Sequence, residues 1–580
     1  MTAIAEERLV RAASLAELRA NGRLVVHVDR HTLCLLAEGE DVYAVDNRCP
    51  HMGFPLHRGS IADGILTCHW HHARFDLCTG GTFDQWADDL RRFPVEIHGD
   101  DVLVDLTPRD DPDAHHRKRL RDGLERDIPL VLAKATIALF ETDPDGVDVF
   151  SAALDFGVER RGGGWFRGLT TLTCFMNLLP SLDPADRAGA LFHGVADVAS
   201  DSAGDVPRFP LDPLPGSPTE PERLARWFRR FVDVRDAEGA ERALVSAVRA
   251  NASQTQLADM LFAAATDHRY LDGGHTLDFV NKALEALDVA GWRRAESVLS
   301  SLPAQLAGAE RMEEANNWRN PVDLVALLEE AFVRLPDDVV PRQTNWTGRT
   351  ELVETVLGDD PVAIVEALLA ALTNGVRAVE LAAAVSFAAA TRIARFPTTN
   401  EFGDWDTALH TFTFTNAVEQ GLRRSASRAL VRGIFDAAMS VHLDRFLNVP
   451  ATRLPRADSD GDPTELLRQL LTVFDRQQQV DEAARLSASY LASGAKTQAL
   501  VAALGAALTH EDRNFHTIQC VEAATRQHRL LAGSDEAGLP LIAAARYLAA
   551  HAATSRSQRQ TFEIARRLHR GENLYDEIEV

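Results

Sequence analysis

Two short stretches near the front of the chain carry side chains able to do chemistry: Cys49-Pro50-His51-Met52-Gly53 and Cys68-His69-Trp70-His71-His72. As ligands they read Cys-x-His, sixteen residues from Met52 to Thr67, then Cys-x-x-His. Two thiolates and two imidazoles in paired loops can hold a zinc ion. They can equally hold a [2Fe-2S] cluster in which the thiolates bind one iron and the imidazoles the other. A Cys-x-His pair is tighter than the cysteine spacing that opens a zinc finger.

The flanking residues choose between the two. Tyr43-Ala44-Val45 leads into Cys49-Pro50-His51, Pro55-Leu56 and Gly59 lie between the pairs, and Cys68-His69-Trp70-His71 is followed by Phe75-Asp76 and Thr79-Gly80. On these residues the stretch 8–106 resembles a Rieske ferredoxin, free-standing or at the front of a Rieske oxygenase. The resemblance implies a [2Fe-2S] cluster on Cys49, His51, Cys68 and His71. It also implies a small β fold clasping the cluster at one end, with His51 and His71 at an exposed tip facing the electron partner. The chain departs from the family at His69, where proline is common, and at His72, where glycine is common; neither change removes a ligand. Respiratory Rieske proteins add a cysteine beside each pair. Met52 to Phe54 and His69 to Trp70 stand at those positions here, so the resemblance is to the lower-potential ferredoxin type.

The elements that must position these loops read as short strands. Leu24–Val28, Leu33–Leu36 and Val102–Leu106 are apolar, rich in β-branched residues or leucine, and bounded by Gly, Asp and Asn. Asp100-Asp101 after Gly99 marks a hairpin turn. From about residue 118 the texture changes: alanine and leucine dominate, with apolar residues at i, i+3, i+4 and i+7, as in Val362–Leu369. The expected organisation is a Rieske domain at 1–108, a charged linker at 109–122, and an all-helical domain at 123–580 with roughly fifteen or more helices. The proline-rich break at 450–463 is where two helical lobes would divide. The acidic end, Glu572 to Val580, reads as loose.

Length and charge narrow the function. A chain of 580 residues exceeds one domain. The formal net charge of −24 lacks the basic footprint that nucleic acid or an anionic membrane requires. No apolar run is long enough to span a bilayer. Met1 to Arg8 carry acids and no apolar core, unlike a signal peptide. Of six cysteines two go to the cluster and Cys34, Cys78, Cys174 and Cys520 are scattered, which makes no disulfide framework, so a reducing cytoplasm is the expected compartment.

The helical region carries its own pattern. His275-Thr276-Leu277-Asp278-Phe279-Val280-Asn281, His410-Thr411-Phe412-Thr413-Phe414-Thr415-Asn416 and His516-Thr517-Ile518-Gln519-Cys520-Val521-Glu522 share a phrase. Phe192-His193-Gly194-Val195-Ala196-Asp197 places a histidine similarly at the head of an apolar stretch. On helices, His193 and Asp197 share a face, as do His275 and Asp278. Histidines and carboxylates converging from several helices build iron or manganese centres in bundles, so His193, His275, His410 and His516 are candidate ligands of a second metal, non-haem iron foremost. The same dipeptide at His31-Thr32 in the β region shows how cheaply it arises, and core packing is the competing account. The segments around His193, His410 and His516 also resemble those of questin-oxidase-like proteins, which implies oxidative chemistry on aromatic polyketides.

A ring-hydroxylating oxygenase would show an acid, a histidine, four residues and a second histidine. Asp267-His268 is followed by His275 after six residues, and five separate His510 from His516, so that pattern is missing. A dinucleotide fingerprint after a strand is missing too, which points to an external reductase or ferredoxin as electron donor. The expected activity is that of an iron–sulfur oxidoreductase, relaying electrons to an oxygen-activating metal in the helical domain and acting on a small organic substrate. A homo-oligomer is compatible with this. The alternative is an electron-transfer or redox-sensing protein whose helices are a metal-free docking scaffold.

Overall fold

In the computed structural model, residues 9–107, 112–216, 220–336, 346–425, 427–458, 461–476, 478–552, 555–572 and 574 are described. The first eight residues, the start of the expected linker and most of the acidic end lie outside them. The chain divides into two compact units, one of residues 1–144 with 558–580 and one of residues 145–557.

Among its described residues the first unit has ten strands: β1 (Leu9–Ser14), β2 (Arg23–Val28), β3 (His31–Glu38), β4 (Asp41–Asp46), β5 (Ser60–Ala62), β6 (Ile65–Thr67), β7 (Arg74–Asp76), β8 (Arg92–Phe93), β9 (Val95–His98) and β10 (Asp101–Asp105). They form three antiparallel sheets, ordered β1-β10-β9, β2-β3-β4-β8 and β5-β6-β7. Successive side chains of a strand point to opposite faces, and β3 uses both. Leu33 and Leu35 enter a core with Ala44, Phe93, Val102 and Val104. Cys34 and Leu36 enter a second core with Leu56, Leu66, Phe75 and the two ligand cysteines. Each fully buried leucine contributes about 1.5–3 kcal/mol, so β3 ties the ligand end to the rest of the domain. The expected turn is present: Gly99, at φ +66°, links β9 to β10.

Helices follow, as the periodicity predicts: 24 among the described residues from Pro112 to His569. Those that bear on function are, in chain order, α1 (Pro112–Arg126), α2 (Pro129–Thr142), α3 (Arg167–Leu178), α4 (Pro184–Asp201), α5 (His275–Ala290), α6 (Phe402–Arg424), α7 (Phe515–Leu530), α8 (Leu539–Ala550) and α9 (Ser557–His569). No helix among the described residues is long and apolar enough to cross a membrane.

Helices α1, α2 and α9 belong to the first unit, with the sheets. Helix α9 ends in a Schellman turn, Glu572 N–H donating to Arg567 O at 3.0 Å and Gly571 N–H to Leu568 O at 3.0 Å, with Gly571 at φ +80°. Arg48, one residue before the first ligand cysteine, completes that cap by donating to Leu568 O at 2.8 Å and Glu572 O at 2.6 Å. In the second unit, α5, α6 and α7 meet around the histidine segments.

Candidate metal centres

The two ligand loops have the same backbone design. Gly53 N–H donates to Cys49 O and Cys49 N–H to Phe54 O, both at 2.8 Å; His72 N–H donates to Cys68 O at 3.0 Å and Cys68 N–H to Ala73 O at 2.8 Å. The fifth residue of each loop is left-handed, Gly53 at φ +81° and His72 at φ +63°. The turn therefore prefers glycine at position 72, and histidine occupies a backbone conformation that its Cβ resists.

Each turn aims two N–H groups at its own sulfur: His51 and Met52 at Cys49, Trp70 and His71 at Cys68. The thiols are 3% and 1% exposed and close enough to share an S–H···S hydrogen bond, which pulls the Cys68 thiol down. The imidazoles of His51 and His71 meet edge to face with ring centroids 4.9 Å apart. Burial, aided by Lys134, holds His51 down to about 4, so it is a neutral ligand at neutral pH. Among the described residues, His51 Nδ1 is buried without a hydrogen-bond partner. An orphaned nitrogen on one of two neighbouring imidazoles, beside a thiol pair cradled by four N–H groups, fits a [2Fe-2S] cluster. His71 is exposed, while Trp86 half-covers His51 with ring centroids 4.5 Å apart.

Paired Cys-x-His and Cys-x-x-His loops at the end of a three-sheet β domain define an electron-transfer domain of the Rieske type. The chain belongs to the Rieske [2Fe-2S] domain family, whose model matches residues 8–94. It is 30% identical over 102 residues to the ferredoxin component of the naphthalene 1,2-dioxygenase system of Pseudomonas aeruginosa, covering 17% of this chain and 98% of that protein. It is 35% identical over 71 residues to human (Homo sapiens) apoptosis-inducing factor 3, covering 12% of each. Among solved structures, the ferredoxin of carbazole 1,9a-dioxygenase from Nocardioides aromaticivorans IC177 is similar at 28% identity, over 17% of this chain and 95% of that one, with a TM-score of 0.16.

In the second unit three of the four histidine segments converge. His275 opens α5, His410 lies within α6 and His516 is in the first turn of α7. One ring nitrogen from each lies within 4.8 Å of the other two. His410 Nε2 and His516 Nε2 are 3.0 Å apart, and the ring centroids of His275 stand 4.4 Å from His410 and 5.4 Å from His516. The approach is set by the turn before α5. Gly274, at φ +99°, lies so close to α6 that a Cβ there would meet Phe414 Cβ at 2.9 Å. Burial holds His275 at about 3 and His410 and His516 at about 4, leaving all three neutral and able to bind a cation.

The fourth histidine stands elsewhere. His193 is buried in α4 with its ring against Phe192 and Phe175, at centroid distances of 5.8 and 6.1 Å. It packs the α3–α4 interface and is not one of the converging three. Asp278 also stays out of that group: it is buried one turn along α5 and accepts a hydrogen bond from Gln519.

Around the three imidazoles lie groups that the histidine phrase did not reveal. Asp406 Oδ2 is 3.9 Å from His516 Nδ1, on the side of the ring away from His410. Tyr547 of α8 donates to Asp406 at 2.5 Å, and His551 Nε2 stands 3.4 Å from it. Burial alone would raise the Asp406 carboxyl, but His551 and Tyr547 outweigh it and hold it at about 2. An anionic carboxylate behind a histidine orients that ring and strengthens it as a donor. The signal was available, since Asp406 precedes His410 by one helical turn. Phe279, Phe515 and Phe166 wall the other side, with Phe515 ring centroids 3.9 Å from His516 and 5.7 Å from His275. A cleft lined by Phe402, Trp405, Asp481 and Arg485 lies near His551, and its lining does not include the three imidazoles.

Proposed function

We propose that this chain is an oxidoreductase. Cys49, His51, Cys68 and His71 hold a [2Fe-2S] cluster that supplies electrons one at a time, and His275, His410 and His516 hold a non-haem iron for dioxygen chemistry on a small organic substrate. The observation that carries the second half is the convergence of three neutral imidazoles from three helices. Three imidazoles leave an iron open positions for dioxygen or substrate. Asp406 Oδ2 stands 3.9 Å from His516 Nδ1, behind a ring whose Nε2 points to the shared centre. Phe166, Phe279 and Phe515 offer flat apolar faces, which supports an aromatic substrate, in line with the likeness to questin-oxidase-like proteins. The relatives named as ferredoxin components of dioxygenase systems support an external reductase as donor.

Metal analysis of the full-length protein tests this. Iron beyond the two atoms of the cluster, lost in His410→Ala and His516→Ala while the cluster's visible absorption persists, is the expected result. One observation favours a second reading, the metal-free scaffold: His410 and His516 satisfy each other's Nε2 across 3.0 Å. Full-length protein holding cluster iron alone, before and after incubation with ferrous iron, would establish it.

A further inference from the structure

Two peptide groups of the first ligand loop have unusual surroundings. The Pro50–His51 peptide presents its N–H to Cys49 Sγ and its C=O to Lys134 Nζ at 2.6 Å. The His51–Met52 peptide presents its N–H to the same sulfur and its C=O to the same ammonium, at 2.7 Å. In a trans peptide the C=O and N–H point in opposite directions, so each group bridges the ammonium to the sulfur. Lys134 comes from α2, beyond the residues 8–94 that match the family. Its third donor goes to Asp88 Oδ2 at 3.3 Å, and its side chain is 18% exposed. Asp88 is held in turn by Arg119 at 2.6 Å.

We propose that Lys134 is a potential-setting residue, raising the reduction potential of the cluster through the two peptides that donate to Cys49. Reduction adds one electron to the cluster, making and breaking no bond and leaving it one charge more negative. Two effects then favour the reduced state. An ammonium a few ångströms behind the loop attracts the added charge where little water screens it. The same ammonium polarises both peptides, and hydrogen bonds in a chain strengthen one another, so the N–H···S bonds that help to set such potentials are reinforced. Because backbone N–H groups cannot be deleted by a side-chain change, Lys134 is the available handle on them. Asp88 opposes it with one negative charge. The proposal requires only the cluster, and stands whether or not the helical unit holds iron.

Redox titration of the full-length, cluster-loaded protein, followed by the electron paramagnetic resonance of the reduced cluster, tests this. Lys134→Met is expected to lower the midpoint potential with iron content and g values unchanged, and Lys134→Arg to stay near wild type. Asp88→Asn, which leaves the ammonium less opposed, is expected to raise it. A fully loaded Lys134→Met at the wild-type potential, or Lys134→Arg falling as far as the methionine variant, overturns the proposal. Should Lys134→Met fail to hold its cluster, Lys134→Gln, which keeps a donor but no charge, decides: a lowered potential supports the role, and the wild-type potential refutes it.

Discussion

His72 holds a left-handed backbone that glycine adopts freely in the matching position of the first loop, Gly53. A Cβ in this region costs about 1–2 kcal/mol, and glycine returns roughly 0.5–1 kcal/mol of that through the freer unfolded chain. His72→Gly should therefore be at least as stable as wild type, whereas His72→Ala keeps the strained Cβ and gains nothing; thermal melts of the two variants measure the difference. Asp278 makes a second prediction at this scale. Burial raises its carboxyl to about 7 from an ordinary 3.8, with Lys282 opposing. A carboxyl raised in the fold stabilises it below the unfolded value, and that contribution is lost as pH climbs from about 4 through 7. Asp278→Asn removes this slope. The variant should lose less stability than wild type between pH 5 and pH 8, as urea unfolding at the two pH values would show.

Helices α3, α5 and α7 are joined below the histidines by a buried charge cluster. Lys282 of α5 donates to Glu285 at 3.1 Å and to Glu522 of α7 at 2.8 Å. Asn177 of α3 donates to the same two carboxylates at 2.8 and 3.1 Å, and Arg526 closes the set. Lys282→Met would leave two carboxylates facing each other with half their counter-charge, at a cost of about 3–5 kcal/mol; a large fall in melting temperature is expected. Asp406→Asn, on α6, leaves the fold in place but deprives His516 of its anionic support. On the proposed reading it weakens metal binding by roughly 10–100-fold, measurable as the ferrous ion concentration needed to fill the site.

These elements show what a sequence can and cannot disclose. Cys49, His51, Cys68 and His71 were legible because a ligand loop is local: four side chains and two turns fix one another within a few residues. The convergence of His275, His410 and His516 was half legible. The shared phrase marked the three that meet in the fold, and His193 was set beside them on a looser likeness, because a one-dimensional pattern does not show that its ring faces Phe175. Lys134 was not legible at all. In sequence it is a lone cation in an apolar helix, and its meaning comes from two carbonyls 83 and 84 residues away.

At the scale of the whole molecule, the chain starts in one unit, passes through a second and returns to the first. Leu568 of α9 lies against the ligand loop, its Cδ2 within 3.2 Å of where a Cβ on Gly53 would stand. Leu568→Asp should therefore loosen that loop, and faster bleaching of the cluster's visible absorption on chelation is the expected sign. Deleting 558–580 should act in the same direction.

The bond from Arg48 to Leu568 spans 520 residues of sequence, and that span is also a delay. At about 5–20 residues per second, a ribosome needs roughly half a minute to two minutes to travel from the ligand loop to the helix whose end Arg48 caps. Throughout that interval the nascent β domain has its cysteines and histidines but lacks the last helix of its unit. Arg48 therefore meets its helix only after the whole second unit has been made, and the ligand loop reaches its final packing late in synthesis.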